Sequence, residues 1–473
     1  MQRTSSRCRR WGDAGSTPSS SRSSTTRDRA PSRGCRASAT RCGQFCWRSS
    51  TRTGPDKRRT TGDRGNEAPS VPDPLPGWRR TRWRLYGFAF VDEFGPLFAL
   101  YTLWFSDNGI TAAQTSVVFA LWASVGILLE IPSGALADRV DRCTVMAAAL
   151  CLRAIGISVW LLWPSFAGIL LGAGLWALHS AIASGTWEAL VYDQVAAHHH
   201  RDAYPRVLAR VEQFSHAGVA LGLLLATFLA TGGVSIETMG WLTAAVHLPA
   251  IGLLRSLKGA RSADGEEEEE LDSWWATLRS GLRTARRVPG VARMLAIGAV
   301  LEGMFIVDEY MPLLARQRGA SDEWVPLFVL PVYLGVIAGG EVAARTAAMR
   351  ARLVAWLLLA GATLLFVAVA RSELGLLTLV GIGYAAIQTT WVLTSARTQA
   401  ALPDSTRATV TSVRAFFAGI WATLAFAVVG MLSPAQDPSL GLLVAVPAYL
   451  PVVIMIWAWL PEHRRSGPPR ESG

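Results

Sequence analysis

From residue 85 onward the chain is a series of apolar stretches, each close to the ~20 residues with which a helix crosses ~30 Å of hydrocarbon. They run 85–106, 114–136, 143–163, 166–191, 207–231 and 237–255, then, after a polar connector, 292–315, 324–344, 352–370, 374–396, 409–432 and 440–460. Backbone polar groups in lipid must be satisfied within the segment, so these stretches are expected to be helices rather than strands. The fold class that follows is an all-α polytopic membrane protein with about twelve transmembrane helices. A chain 51% hydrophobic and only 17% charged, with mean hydropathy +0.27, is too apolar for an ordinary soluble domain. Trp104, Trp122, Trp163, Trp324 and Trp459 stand near the ends of apolar runs, where an aromatic belt would place them.

The net charge of +11 is not a nucleic-acid signal. Residues 1–80 hold 18 Lys/Arg and 6 Asp/Glu, a net of +12, so the remainder of the chain carries −1. Segments such as Ser19–Arg29 and Arg48–Arg59 are Arg/Ser/Thr-rich and lack any helix or strand period. They read either as a basic arm for anionic lipid or nucleic acid, or as a tail without function. An over-extended start is part of the second reading, with Val71 as an alternative initiator. The second is preferred, and no nucleic-acid partner is expected. Cys8, Cys35, Cys42 and Cys46 lack paired zinc spacing, and Cys143 and Cys151 fall in an apolar span as packing residues. No metal and no cofactor are expected.

Arg79, Arg80, Arg82 and Arg84 precede the first span, and Arg139, Arg142, Arg201, Arg206, Arg255, Lys258, Arg345, Arg350, Arg352, Arg397 and Arg407 fall in loops on the same side. The opposite loops carry little basic charge apart from Arg316 and Arg318. The positive-inside rule then makes both termini cytoplasmic, which requires an even number of spans. The expected organisation is a basic tail (1–80), a six-helix half (81–255), a cytoplasmic linker (256–290), a second six-helix half (291–463) and a short cytoplasmic tail (464–473). Within the linker, Leu271, Trp274, Trp275, Leu278 and Leu282 alternate with Arg279, Arg283, Arg286 and Arg287, as an interfacial amphipathic helix would.

An internal repeat ties the halves together. Gly87, Val91-Asp92-Glu93-Phe94 and Pro96-Leu97 return as Gly303, Val307-Asp308-Glu309-Tyr310 and Pro312-Leu313, each 216 positions on. Weaker echoes link Thr186-Trp187 to Thr390-Trp391, and Glu130 to Glu341.

The segment Glu130-Ile131-Pro132-Ser133-Gly134-Ala135-Leu136-Ala137-Asp138-Arg139-Val140-Asp141-Arg142 resembles the loop 2–3 signature of the major facilitator superfamily, Gly-x-Leu-x-Asp-Arg-x-Gly-Arg. It departs at Asp141, where the family usually has Gly. The resemblance implies a two-domain transporter with its substrate near the midplane, and a conformational gate at Gly134, Asp138, Arg139 and Arg142. Gly134 would allow a close helix approach, Asp138 would face the positive end of the eleventh helix, and the arginines would bind acids or anionic headgroups. The run Ser184–Asp193 is similar to a segment of one multidrug-efflux-like branch. The Gly-Pro-Gly-Gly pattern of efflux antiporters is incomplete at Gly218–Gly222.

Ionisable residues within spans are costly, and each is a site candidate. Asp92, Glu93, Asp308 and Glu309 are the proton-coupling or substrate candidates, with Glu188 and Arg153 beside them. Successive helical residues diverge by about 100°, so one acid of each pair is expected to line the cavity. The alternative is a structural ion pair with Arg153. His179, His216 and His247 read as packing residues, and no nucleophile–base motif of an enzyme is present. The expected function is proton-coupled export of a small organic or drug-like molecule by a monomer in the plasma membrane. Metabolite uptake, or a non-transporting sensor or lipid-handling role, is the alternative.

Overall fold

A computed structural model describes residues 76–139, 141–198, 200, 203–257, 279, 283, 290–303, 305–401, 407–433 and 437–460. The basic tail before residue 76 and the linker helix expected over 271–287, apart from Arg279 and Arg283, lie outside the described residues. So do the side chains of Gly134, Asp138 and Arg139, three of the four expected gate residues.

The described chain is helical. The N half contains α1 (Pro76–Asp92), α2 (Tyr101–Asp107), α3 (Ala112–Arg139), α4 (Arg142–Leu162), α5 (Phe166–Ala197), α6 (Tyr204–Thr231) and α7 (Ile236–Arg255). The C half contains α8 (Val291–Gly303), α9 (Val307–Gln317), α10 (Val325–Arg345), α11 (Ala351–Ala370), α12 (Leu379–Ala401), α13 (Arg407–Leu432), α14 (Ser439–Ala445) and α15 (Tyr449–Trp459). Among the described residues, eight spans are long and apolar enough to cross a membrane on length and composition alone. The remaining four complete the twelve: spans one and seven are broken into α1/α2 and α8/α9, α3 has a shorter apolar stretch over Ala112–Leu128, and α7 carries Pro249.

Helix starts are set by local chemistry. Asp141 caps α4, accepting from Thr144 N at 2.9 Å and from the Thr144 hydroxyl at 2.7 Å. That explains its presence where the related signature has Gly: the connection from α3 to α4 is short, and its last residue is needed as a cap rather than as a flexible link. Ser165 and Ser235 cap α5 and α7 in the same way. Apolar side chains such as Leu162, Phe228, Leu248, Ile454 and Met431 point outward and are more than two-thirds exposed, forming the girdle that lipid would cover. Trp122, Trp163, Trp324 and Trp459 share that exposed surface, whereas Trp104 is buried and donates through Nε1 to Glu237 at 3.2 Å. Cys143 packs inward as expected, but Cys151 is exposed.

The loops after odd-numbered spans lie at one end of the bundle (here the odd-loop end) and those after even-numbered spans at the other. One core runs through the C half and takes in Ala99, Leu100, Leu103, Phe119, Ala123, Val219, Leu223 and Ala226 from the odd-loop portions of the N-half helices. A separate cluster at the even-loop end, built around Trp78, Leu85, Met146, Val191 and Leu254, contains N-half residues only. The halves thus share a core toward the odd-loop end. Their longest seam is α3 against α13, along which Ser116 meets Gly430, Ser124 meets Thr423 and Ile127 meets Gly419.

Candidate functional site: two acidic pairs at broken helices

Span one breaks because Gly95 precedes Pro96. Proline has no N–H to give and disfavours helical geometry in the residue before it. Gly95 accordingly adopts an extended conformation (φ −158°), and a short 3₁₀ turn over Pro96–Ala99 follows. The break is packed tightly: a Cβ at Gly218 of α6 would fall on the Phe90 carbonyl, and one at Gly222 would meet the Gly95 backbone at 3.0 Å. These two α6 glycines therefore serve the close approach of α6 to span one. Leu97 N, freed from helical pairing, donates to the Thr243 hydroxyl at 3.0 Å.

Asp92 is the last residue of α1, and Glu93 lies in the break. Both acids reach Arg153 of α4. Its Nη1 is 3.4 Å from an Asp92 carboxylate oxygen and 3.3 Å from Glu93 Oε1, and its Nη2 is 3.4 Å from Glu93 Oε2. Because the helix ends at Asp92, the next side chain is not bound to the 100° step, and both acids can turn toward one cation. The expected ion pair with Arg153 is present. The guanidinium is also held over the rings of Phe98 and Trp176, each 4.8 Å away.

In span seven the same repeat folds differently. Pro312, the counterpart of Pro96, follows Met311 rather than Gly and is absorbed inside α9. The interruption comes earlier, after Gly303, and α9 begins at Val307. Asp308 and Glu309 therefore stand in the first turn of a half-helix, at the positive end of its dipole. Here the two acids diverge. Asp308 Oδ1 accepts from the Tyr384 hydroxyl of α12 at 2.6 Å, and that hydroxyl in turn accepts from Asp308 N at 3.0 Å. Glu309 accepts from the Tyr101 hydroxyl of α2, across the two halves. Among the described residues neither acid has a basic partner within ion-pair distance.

Tyr101 connects the two centres. Its ring stacks on Trp160 at 5.9 Å, Trp160 lies 5.4 Å from Trp176, and Trp176 covers Arg153. Two further contacts cross the halves nearby: Ser116 and Tyr310 share a hydroxyl hydrogen bond of 2.7 Å, and Arg316 of α9 binds both oxygens of Asp107 at 2.5 and 3.1 Å. Arg316 also pairs with Asp322 at 2.7 Å, and Arg318 donates to the carbonyls of Ala368 and Val369. The two arginines that break the loop charge pattern are thus tied down where they stand. Tyr101 and Tyr384 were not singled out from sequence, and Arg316 only as an exception to the loop charge pattern. A hydroxyl in an apolar span carries no signal of its own, and only the fold puts residue 101 beside 309.

The other candidates lie away from this centre. Arg142 pairs with Asp193 and donates to Ala189 O at 3.3 Å, fixing the start of α4 to α5 within the N half. Glu188 is exposed and has no ion-pair partner among the described residues. Arg414 pairs with Glu302, and Glu341 with Arg345 one turn on at 2.9 Å. His179 and His247 are buried, and His198 and His200 pack on Trp78 at 5.5 and 5.1 Å. No group of three or more metal-ligating side chains occurs among the described residues.

Solved structures with the same architecture are transporters. The nucleoside transporter NupG superposes with a TM-score of 0.61 at 12% identity, covering 80% of this chain and 98% of that one. A bacterial homologue of the human lysosomal transporter Spinster, in an inward-facing and unoccupied conformation, matches with a TM-score of 0.62 at 16% identity, covering 83% and 99%. The human organic anion transporter MFSD10 (TETRAN) gives 0.53 at 16% identity, covering 81% and 100%. Nothing among curated protein sequences matches the chain. The sequence profile of the Major Facilitator Superfamily matches residues 83–426. With twelve spans in two related halves and that profile over most of its length, the chain belongs to the Major Facilitator Superfamily.

Proposed function

We propose that this protein is a proton-coupled exporter of a small organic or drug-like compound, working as a monomer by alternating access in the plasma membrane with both termini cytoplasmic. The observation that carries the reading is the C-half pair, Asp308 and Glu309. These are two intramembrane carboxylates held by tyrosine hydroxyls, with no cation in ion-pair contact among the described residues. A carboxylate in a low-dielectric site must be neutralised. A proton does this, and so does a cationic group on a substrate; one site that accepts either in turn links the two fluxes. The hydrogen bond from Tyr101 to Glu309 supports the coupling role, because it joins the halves in the closed odd-loop arrangement and must break when that end opens. With the basic loops inside, the arrangement corresponds to an inward-facing state.

Asp92, Glu93 and Arg153 are assigned the supporting role of an ion-paired mirror site, and Glu188 an exposed position on the vestibule wall. Arg142, with Gly134, Asp138 and Arg139, is assigned to the even-loop gate. The similar solved proteins include a nucleoside transporter and an organic anion transporter, so small polar organic molecules define the range to search.

The test is substrate-induced collapse of a pH gradient in inverted membrane vesicles, across a chemically diverse panel. Asp308→Asn and Glu309→Gln are expected to abolish the response at normal expression. If no compound elicits a response, or if all four acid substitutions (with Asp92→Asn and Glu93→Gln) leave it intact, proton antiport is wrong.

A further inference from the structure

Away from the acid centre, on the even-loop side of the break in span seven, lies a second charged pair that the coupling scheme does not use. Arg414 of α13 crosses over Gly298 of α8, where an added Cβ would come within 2.8 Å of the Arg414 side chain. That crossing brings the guanidinium to the Glu302 carboxylate and to 5.8 Å from the centre of the Trp391 ring. The pair is not sealed, since the Glu302 side chain remains 34% exposed. Arg414 forms one wall of a groove completed by Leu295, Gly298, Ser395, Thr398 and Val410.

Two buried polar groups nearby, Ser395 Oγ and Trp421 Nε1, are left without a hydrogen-bond partner. Trp391 faces Glu302, and Trp421 packs against Gly303, the next residue along. A buried donor without an acceptor costs free energy that a ligand bringing acceptors would recover. An indole N–H only donates, and a guanidinium presents a planar fork that matches a carboxylate. The one acceptor already in place is itself a carboxylate, that of Glu302.

We propose that this groove is a binding station for a carboxylate-bearing ligand. Arg414 exchanges the Glu302 carboxylate for that of the ligand, and the apolar part of the ligand lies against Leu295 and Val410. The proposal does not rest on proton coupling, and it is tested by binding without a gradient.

Benzoate and its neutral analogue benzamide are titrated into the purified full chain in detergent, and binding is followed by calorimetry. Benzoate is expected to bind at least ~10-fold more tightly than benzamide. Glu302→Gln removes the internal competitor and should tighten benzoate several-fold, an outcome that a merely structural ion pair would not produce. The double variant Glu302→Gln/Arg414→Gln keeps a neutral, hydrogen-bonding pair and should lose benzoate binding while retaining its unfolding temperature. Equal affinity for the two probes overturns the proposal. So does unchanged or weaker benzoate binding in Glu302→Gln, and so does the absence of benzoate binding in both wild type and Glu302→Gln.

Discussion

The two halves carry the same Val-Asp-Glu-aromatic element and solve the problem of its charge in opposite ways. In the N half the pair ends a half-helix, where the dipole disfavours negative charge, and Arg153 pairs with both acids and offsets one of their two charges. In the C half the pair begins a half-helix, where the dipole favours negative charge, and tyrosine hydroxyls replace the cation. Three residues after Arg153 comes Gly156, which packs on the Gly172 backbone; the matching close contact in the C half is Gly361 against Gly383, and three residues before it stands Leu358. A basic partner is thus present in one half and absent, among the described residues, from the other, and the break in the helix has moved as well.

The sharpest way to break this comparison is to remove the cation. Arg153→Leu gives the N half the residue found in the C half, but strands two acids at the wrong end of a helix dipole. Loss of one partner of a buried pair costs about 3–5 kcal/mol, and the lower end applies because Glu93 is partly exposed. Thermal unfolding in detergent should show this as a large fall. Adding Asp92→Asn and Glu93→Gln should restore most of it. Failure of the triple variant to recover would mean that Arg153 matters through its packing on Phe98 and Trp176 instead.

Next in size is Tyr101→Phe, which deletes the hydroxyl that links the halves and leaves the ring stack intact. One hydrogen bond contributes about 1 kcal/mol, roughly a fivefold shift toward opening at the odd-loop end. A cysteine placed at Ala120 in a cysteine-free background should then react faster with a reagent supplied from that end. An unchanged rate would move the closing role to the Ser116–Tyr310 bond and the seam between α3 and α13.

Asp308→Asn and Glu309→Gln should do less to stability, within about 1 kcal/mol of wild type, because no counter-charge is stranded and an amide oxygen still accepts from tyrosine. Unfolding temperature close to wild type with lost coupling would be the signature. A large destabilisation would show that a hidden cation balances the pair.

How much of this could be read beforehand varies by feature. The spans are local properties of composition, and the repeat is local similarity, so both were legible. Arg153 was legible as a basic residue midway along an apolar helix. The break in span one follows from Gly95-Pro96, but the same proline is harmless in span seven because Met311 rather than glycine precedes it, and no spacing rule marks the interruption at Gly303. The partners of the C-half acids were not legible at all. Tyr384 and Tyr101 lie 76 and 208 positions from the acids they serve, and only packing of three helices brings them there. The pairing of Arg414 with Glu302 was hidden in the same way.

The smallest effect concerns the surface end of the comparison. Asp107 and Arg316 join the halves beyond Tyr101, yet their side chains are 47% and 26% exposed, and exposed pairs contribute about 0–1 kcal/mol. Asp107→Asn should therefore shift reactivity of the Ala120→Cys reporter by less than about fivefold. Salt separates this link from the buried one. Near 1 M ionic strength, where the screening length falls to ~3 Å, wild type should approach the behaviour of Asp107→Asn, whereas the change caused by Tyr101→Phe should persist. If salt leaves wild type untouched, the bidentate geometry with support from Asp322 holds the odd-loop end shut more firmly than an exposed ion pair would, and closure is then set at the rim rather than at the acids.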